Sequence, residues 1–212
     1  MWYDLILQAV LLLVTVVMFL TIYGIPQRAL SRLRLRLRSR SDLQAKRHFV
    51  LGAQLLSKAR SAPSSSSAAS LAREAASEAD LAISVDPRDA ASHILKALAL
   101  DLQGFRTSAL DSFDTALSPL AIKSLGEKEI GDALYKRAEI KVALSSRGWV
   151  DSALDDLNRA VKLSPSPKAY SLLGHCYEKK KMKDEALKAY EEALRIQPAL
   201  SDAQEALARL RS

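Results

Sequence analysis

Residues 167–200 read PKAYSLLGHCYEKKKMKDEALKAYEEALRIQPAL, and this stretch decides the fold. Tyr170, Leu173, Gly174 and Tyr177 recur three and four apart, so on a helix they share one face. Ala186, Leu187, Tyr190, Ala193, Leu194 and Ile196 repeat the pattern on a second helix. Pro198 ends it, because proline lacks an N–H and clashes with the preceding turn. Gly174 and Ala193 are small residues set among large ones. Small residues on apolar faces let two helices approach closely, so the stretch predicts a tight antiparallel pair.

Tyr170, Leu173, Gly174, Tyr177, Ala186, Tyr190, Ala193 and Pro198 resemble the tetratricopeptide repeat, position for position. That repeat has a period of about 34 residues and needs at least about three copies to bury its faces. The resemblance implies an all-α fold: a tetratricopeptide α-solenoid of about four helix pairs with a capping helix. It further implies a right-handed superhelix whose first helices line a concave surface that takes peptides or helices of partner proteins.

Three further copies are expected upstream. Residues 45–87 hold the first: Gly52 stands to His48 as Gly174 does to Tyr170, and Ala75, Ala82 and Pro87 keep the spacing of Ala186, Ala193 and Pro198. Its inter-helix turn is expanded by residues 61–70, SAPSSSSAAS, a composition that predicts a flexible solvated loop. Such an insertion adds little closure entropy. The second copy spans 90–123, with Ala97, Gly104, Ala109, Phe113 and Ala116 in register. Pro119 falls two residues early, which predicts a shortened helix end and a connector over 119–128. The third runs from about Gly131 to Pro165, with Ser145, Ser146 and Arg147 as an extra turn. Residues 201–211 resemble the helix that closes such arrays, with Ser201 as N-cap, Asp202 in the first turn and an apolar stripe of Ala206, Leu207 and Leu210.

Composition agrees with a helical protein. The chain has 212 residues, 49% hydrophobic, with 7 glycines and 6% aromatics, and strand-like alternation is scarce. Its single cysteine, Cys176, can form neither an internal disulfide nor a metal cluster, so nothing requires an oxidising compartment. It reads as a small packed residue.

The amino terminus differs in kind. Residues 5–23, LILQAVLLLVTVVMFLTIY, carry no charge. At ~1.5 Å per residue they extend roughly 28 Å as a helix, close to the hydrocarbon thickness of a bilayer. Trp2, Tyr3 and Tyr23 flank the run as an aromatic belt would. A cleaved signal peptide would want a basic start and a small-residue cleavage site; here Asp4 leads and large residues come after the run. The expectation is therefore one retained transmembrane helix within residues 1–27.

A juxtamembrane segment, residues 28–44, comes next. Arg28, Arg32, Arg34, Arg36, Arg38 and Arg40 lie close behind the apolar run, the position expected of lipid-headgroup contacts. They also favour the cytosolic side, so the repeats should face the cytosol. Leu33, Leu35 and Leu37 alternate with them, which is a strand period with no partner strand; a helix on or leaving the membrane is preferred. The arginines lack the stacking aromatics of a nucleic-acid site. Residues 1–60 carry ten Lys/Arg and two Asp/Glu, so the net charge of +7 belongs to this end and the array is nearly neutral. No nucleic acid is expected as a partner.

No catalytic pattern sits on the frame. There is no Gly-rich phosphate loop, GxSxG or HExxH. His175 and Cys176 adjoin without a matching ligand pair, and His48 and His93 stand alone. Asp155 with Asp156 and Glu191 with Glu192 read as solvated outer faces. The expectation is no enzyme, no cofactor, no metal and no small-molecule substrate.

The resemblance places Phe49, Ile94, Leu98, Tyr135, Glu139, Lys168 and His175 on the concave groove as protein-binding candidates. Some members clamp chaperone carboxylates with two asparagines and several cations on first helices; here the asparagines are absent and Lys168 alone matches. The groove should be apolar at its membrane end and mixed beyond, suiting an apolar helix or hydrophobic motif, although Ile94 and Leu98 can equally pack between helices. The expected function is a single-pass adaptor or receptor on a mitochondrial, plastid or endoplasmic-reticulum membrane. The alternative is a structural subunit of a larger membrane complex.

Overall fold

The computed structural model describes residues 2–22, 25–144 and 147–211; for residues 17, 19–22, 25–41 and 147 it describes the backbone alone. Ten α-helices are present among the described residues: α1 Trp2–Ile22, α2 Ile25–Arg60, α3 Ser65–Val85, α4 Ala90–Leu102, α5 Arg106–Ala116, α6 Glu127–Ala143, α7 Arg147–Leu163, α8 Pro167–Lys179, α9 Lys183–Ile196 and α10 Ser201–Arg211. They fall into two compact units, residues 1–44 and 45–212.

In the first unit α1 carries apolar side chains that are exposed all round, from Trp2 and Leu5 to Val16 and Met18. Among the described residues no helix is long and apolar enough to cross a membrane. The transmembrane helix expected over residues 5–23 is therefore not found. Tyr23 and Gly24 lie outside the described residues, as do the side chains of Arg28, Arg32, Arg34, Arg36, Arg38 and Arg40. The backbone through those arginines is helical, so the strand period of Leu33, Leu35 and Leu37 does not decide the local structure.

The second unit is a stack of helix pairs, and local sequence sets where each begins. Asp89 caps α4 by accepting the Ser92 N–H at 3.1 Å, and Ser166 caps α8 by accepting the Ala169 N–H at 3.2 Å. Pro167 occupies the first turn of α8, where no N–H is needed. Glu129 reaches back to the Gly126 N–H at 2.8 Å and fixes the start of α6. Pro87 and Pro198 stand just past the ends of α3 and α9.

The core is a series of small clusters rather than one centre, as a quasi-one-dimensional array requires. Leu56, Ala75, Ala79, Leu95 and Ala99 join α2, α3 and α4. Ala97, Leu110, Phe113, Ala133 and Ile140 join α4, α5 and α6. Ala138, Leu154, Leu157, Leu173 and Cys176 join α6, α7 and α8. Tyr190 and Ala193 meet Ala203, Ala206 and Leu207 of α10, which closes the carboxyl end of the stack. Close approach is literal at Gly174 and Gly131, as it is at Gly52, where a Cβ would sit 2.9 Å from the Leu95 side chain. A Cβ on Gly174 would sit 2.8 Å from the Tyr190 ring, and one on Gly131 would sit 2.6 Å from the Ser164 Cβ.

Four expectations need correction. The serine-rich stretch is a loop only as far as Ser64; from Ser65 it is helix, because the Ser64 hydroxyl accepts the Ser67 N–H at 3.2 Å and alanines come next. The extra residues thus lengthen α3 to 21 residues. Asp156 is 3% exposed, not solvated, while adjacent Asp155 is exposed. Consecutive helical residues point about 100° apart, so one of a pair can face the core while the other faces solvent. The connector after α5 contains a 3₁₀ turn, Ile122–Ser124, and α6 starts at Glu127, four residues before Gly131. Ser201 is the first residue of α10 rather than its cap, since the Leu200 carbonyl accepts the Gln204 N–H. Ser145 and Ser146, the expected extra turn, lie outside the described residues.

Candidate protein-binding groove

The first helices α4, α6 and α8 and the distal part of α2 line the same side of the stack, and the candidate residues come together there in two cavities. Phe49 of α2 and Ile94 and Leu98 of α4 line a cavity of about 380 Å³, with Ala53, Leu56 and Leu125. Its wall is overwhelmingly apolar, with Arg60, Glu129, Asp132 and Lys136 among its polar members. Tyr135 and Glu139 of α6 and Lys168 and His175 of α8 line a second cavity of about 650 Å³. Lys136 borders both.

Ile94 and Leu98 have two roles. Both pack against buried clusters between helices, and both still reach the cavity wall. Phe49 is likewise half-buried against Leu56 and its neighbours. An apolar cavity edged by half-buried side chains gains free energy when another apolar group excludes its water.

The second cavity is polar and internally braced. The Tyr135 hydroxyl donates to Glu139 Oε1 at 3.0 Å, and Lys136 Nζ donates to Glu139 Oε2 at 2.7 Å. Lys136 Nζ also stands 5.4 Å from the centre of the Tyr135 ring. Burial, and then the Glu139 carboxylate, push the Tyr135 hydroxyl well above its ordinary pKa. Burial and the Lys179 ammonium hold the His175 imidazole below its ordinary value, against the opposing pull of Glu178. His175 is therefore a neutral hydrogen-bonding group at neutral pH. Lys168 is exposed at the mouth.

Sequence reasoning missed the far wall. Asp202, Glu205 and Arg209 of α10 border the polar cavity. They stand three and four apart and so share a face, a periodic signal that the apolar stripe of the same helix masks. Arg209 Nη2 donates to both oxygens of Glu178, at 2.9 and 2.8 Å, and the Tyr190 hydroxyl donates to Glu178 Oε1 at 2.8 Å. Burial pushes the Glu178 carboxyl up, but Arg209 and Tyr190 together hold it below its usual range.

Among the described residues no group of three or more His, Cys, Asp or Glu is placed to hold a metal ion. Cys176 is fully buried, and burial pushes its thiol up to about 11, away from nucleophilic use.

Comparison with known proteins agrees with this geometry. Residues 167–200 match the Tetratricopeptide repeat family. No curated protein matches the chain in sequence. Among solved structures, MamA from Desulfovibrio magneticus RS-1 is 18% identical, with 79% of this chain and 84% of that chain covered and a TM-score of 0.63. YrrB, described as a TPR protein with an unusual peptide-binding site, is 22% identical over 74% of each chain, with a TM-score of 0.56. PilF of Pseudomonas aeruginosa is 17% identical over 80% of this chain and 68% of that one, with a TM-score of 0.61. At such identities the likeness establishes fold alone. Residues 167–200 thus form a tetratricopeptide repeat, and they lie within an all-α helical-repeat fold of the same kind.

Proposed function

We propose that the chain is a membrane-anchored adaptor whose groove recruits a partner protein. The observation that carries the recruiting role is the pair of cavities on one side of the stack, one apolar and one polar, sharing Lys136. Together they suit a peptide or helix with a bulky apolar anchor and a polar continuation. The description of YrrB as a TPR protein with a peptide-binding site supports this reading.

The tether rests on the uncharged run 5–23 and on the exposed apolar side chains of α1, from Trp2 and Leu5 to Val16 and Met18. The arginines behind it favour a cytosolic array, on a mitochondrial, plastid or endoplasmic-reticulum membrane. A second reading, a permanent subunit of a membrane complex, draws on exposed Val50, Leu51 and Leu81 at the amino-terminal edge of the stack.

Proximity labelling from the carboxyl terminus tests recruitment. Phe49→Asp combined with Lys168→Glu should remove a specific set of neighbours while fractionation with membranes persists. An unchanged set of neighbours would reject the groove. A glycosylation tag after Ser212 should stay unmodified if the array is cytosolic.

A further inference from the structure

The apolar cavity is drawn out along the helices rather than across them. α4 lines it with Ala91, Ile94, Leu95 and Leu98, a stripe of spacing three and four that is about two turns long. Distal α2 lines it in the same way with Phe49, Ala53 and Leu56. The helices around it run in one direction. Gly52 abuts Leu95 and Arg60 acts on Asp101, so distal α2 and α4 are parallel. The Ala90 N–H donates to the Ser124 hydroxyl at 3.2 Å, just before α6, and Lys136 acts on Asp101, so α6 is parallel to both. The two ends of the cavity differ in charge. Glu129 and Asp132 border it where α6 begins. Glu129 accepts the Gly126 N–H at 2.8 Å and Asp132 accepts the Ser164 hydroxyl at 2.9 Å, neutral donors that leave both charges uncompensated. Arg60 and Lys136 border the other end. Burial pushes the Asp101 carboxyl up against the pull of Arg106, and Glu139, Lys136 and Arg60 act on it too, which gathers these charges in one place. Glu139 engages Lys136 at 2.7 Å, so Arg60 carries the excess charge of that end.

We propose that the apolar cavity takes a partner helix laid antiparallel to α4 and α6, with bulky aliphatic anchors in the cavity, acidic residues in the turn before them and basic residues in the turn after. Anchors spaced three and four apart match stripes that run along α2 and α4. In this orientation the amino end of the partner helix meets Arg60, and its carboxyl end meets Glu129 and Asp132. Acid at an amino end and base at a carboxyl end also favour the partner helix itself, through its dipole. A parallel helix would need the reverse order, which opposes its own dipole. An extended peptide crossing the helices would cut the stripes and pass only one of the two charged ends. The proposal rests on the groove reading above and names the kind of partner, its charge order and its direction.

The test uses the full chain in lipid nanodiscs and stapled helical peptides that share two leucines four apart. Fluorescence anisotropy compares four flanks: glutamates before and lysines after, the reverse order, glutamates on both sides, and lysines on both sides. The first should bind about fivefold tighter than either single-sign peptide and about threefold tighter than the reverse order. A benzophenone on its amino end should crosslink to the chain near Arg60, and one on its carboxyl end near Glu129, as read by mass spectrometry of the fragments. Arg60→Glu with Asp132→Lys should swap those two crosslinks. Arg60→Gln with Asp132→Asn, the milder pair, should level the affinities and scatter the crosslinks while the need for both leucines persists; a circular dichroism melt confirms that each variant is folded. Equal affinity for all four peptides, a reverse-order peptide that binds best, or an amino-end crosslink near Glu129 would overturn the proposal. So would full displacement by equimolar oleate, which assigns the cavity to an acyl chain, or binding that weakens as protein concentration rises, which assigns it to a second copy. Equal affinities that still vanish with Phe49→Asp reject this proposal and keep the groove; binding indifferent to Phe49→Asp rejects the groove itself.

Discussion

Asp156→Ala isolates a buried charge cluster of the array. Asp156 of α7 is 3% exposed. Its carboxylate accepts from Arg137 Nε at 2.8 Å, from Arg137 Nη2, and from Lys141 Nζ at 2.6 Å. The side chains of Arg137 and Lys141 are themselves only 14% and 7% exposed. Removing the shared anion strands two buried cations, and breaking a buried pair in this way costs about 3–5 kcal/mol. Two contacts survive: Asp114 holds Arg137 Nη1 at 2.7 Å, and Ser152 accepts from Lys141 at 2.7 Å. Asp114 is 63% exposed, so its pair contributes about 0–1 kcal/mol. The loss should therefore lie near the lower bound, about 3 kcal/mol, or roughly 6–12 °C in Tm for a unit of this size. Urea melts monitored by circular dichroism should show a lower midpoint at unchanged slope. The loss should persist in 1 M salt, because buried pairs are little screened. Replacing Arg137, Lys141 and Asp156 together with apolar residues should restore most of the stability. A loss under about 1 kcal/mol, or one abolished by salt, would show that water reaches the cluster and that the burial argument is wrong.

Gly174→Ala places a methyl 2.8 Å from the Tyr190 ring and should cost about 1–3 kcal/mol despite alanine's better helix propensity; Tyr190→Leu in the same chain should recover part of that loss, which a thermal melt can check. Ser64→Ala removes the cap of α3 and should cost about 1 kcal/mol, with faster hydrogen exchange confined to the amides just after Ser65. The folded Glu178 carboxyl lies below its ordinary pKa, so its contribution is present above the unfolded value of about 4.3 and is lost as pH falls through the folded value. Acid titration of stability between about pH 5 and 3 should accordingly be shallower in Glu178→Gln than in the parent, and identical curves would refute the Arg209 contact.

Periodicity made the stack legible where it acts through apolar residues. The α8–α9 pair comes directly from Tyr170, Gly174, Ala186 and Tyr190, because small residues must oppose large ones where two helices touch. The groove candidates meet in two cavities because first helices recur on one side, so register alone carries them there. The Asp156 cluster is hidden in the sequence because long cationic side chains reach across helices from positions that show no period. The serine stretch misleads for a different reason. Serine composition speaks for solvation, but one serine placed as a cap commits the residues after it to helix. On α10 the apolar stripe is the stronger pattern, and it conceals the polar side that borders the cavity.

α10 stands to the α8–α9 pair as α8 stands to the pair before it: Tyr190 and Ala193 lie against Ala203, Ala206 and Leu207. Each helix pair leans on its immediate neighbours alone, so whole pairs can be copied or lost at a joint such as Ser164–Ser166, between α7 and α8, without rebuilding a common core.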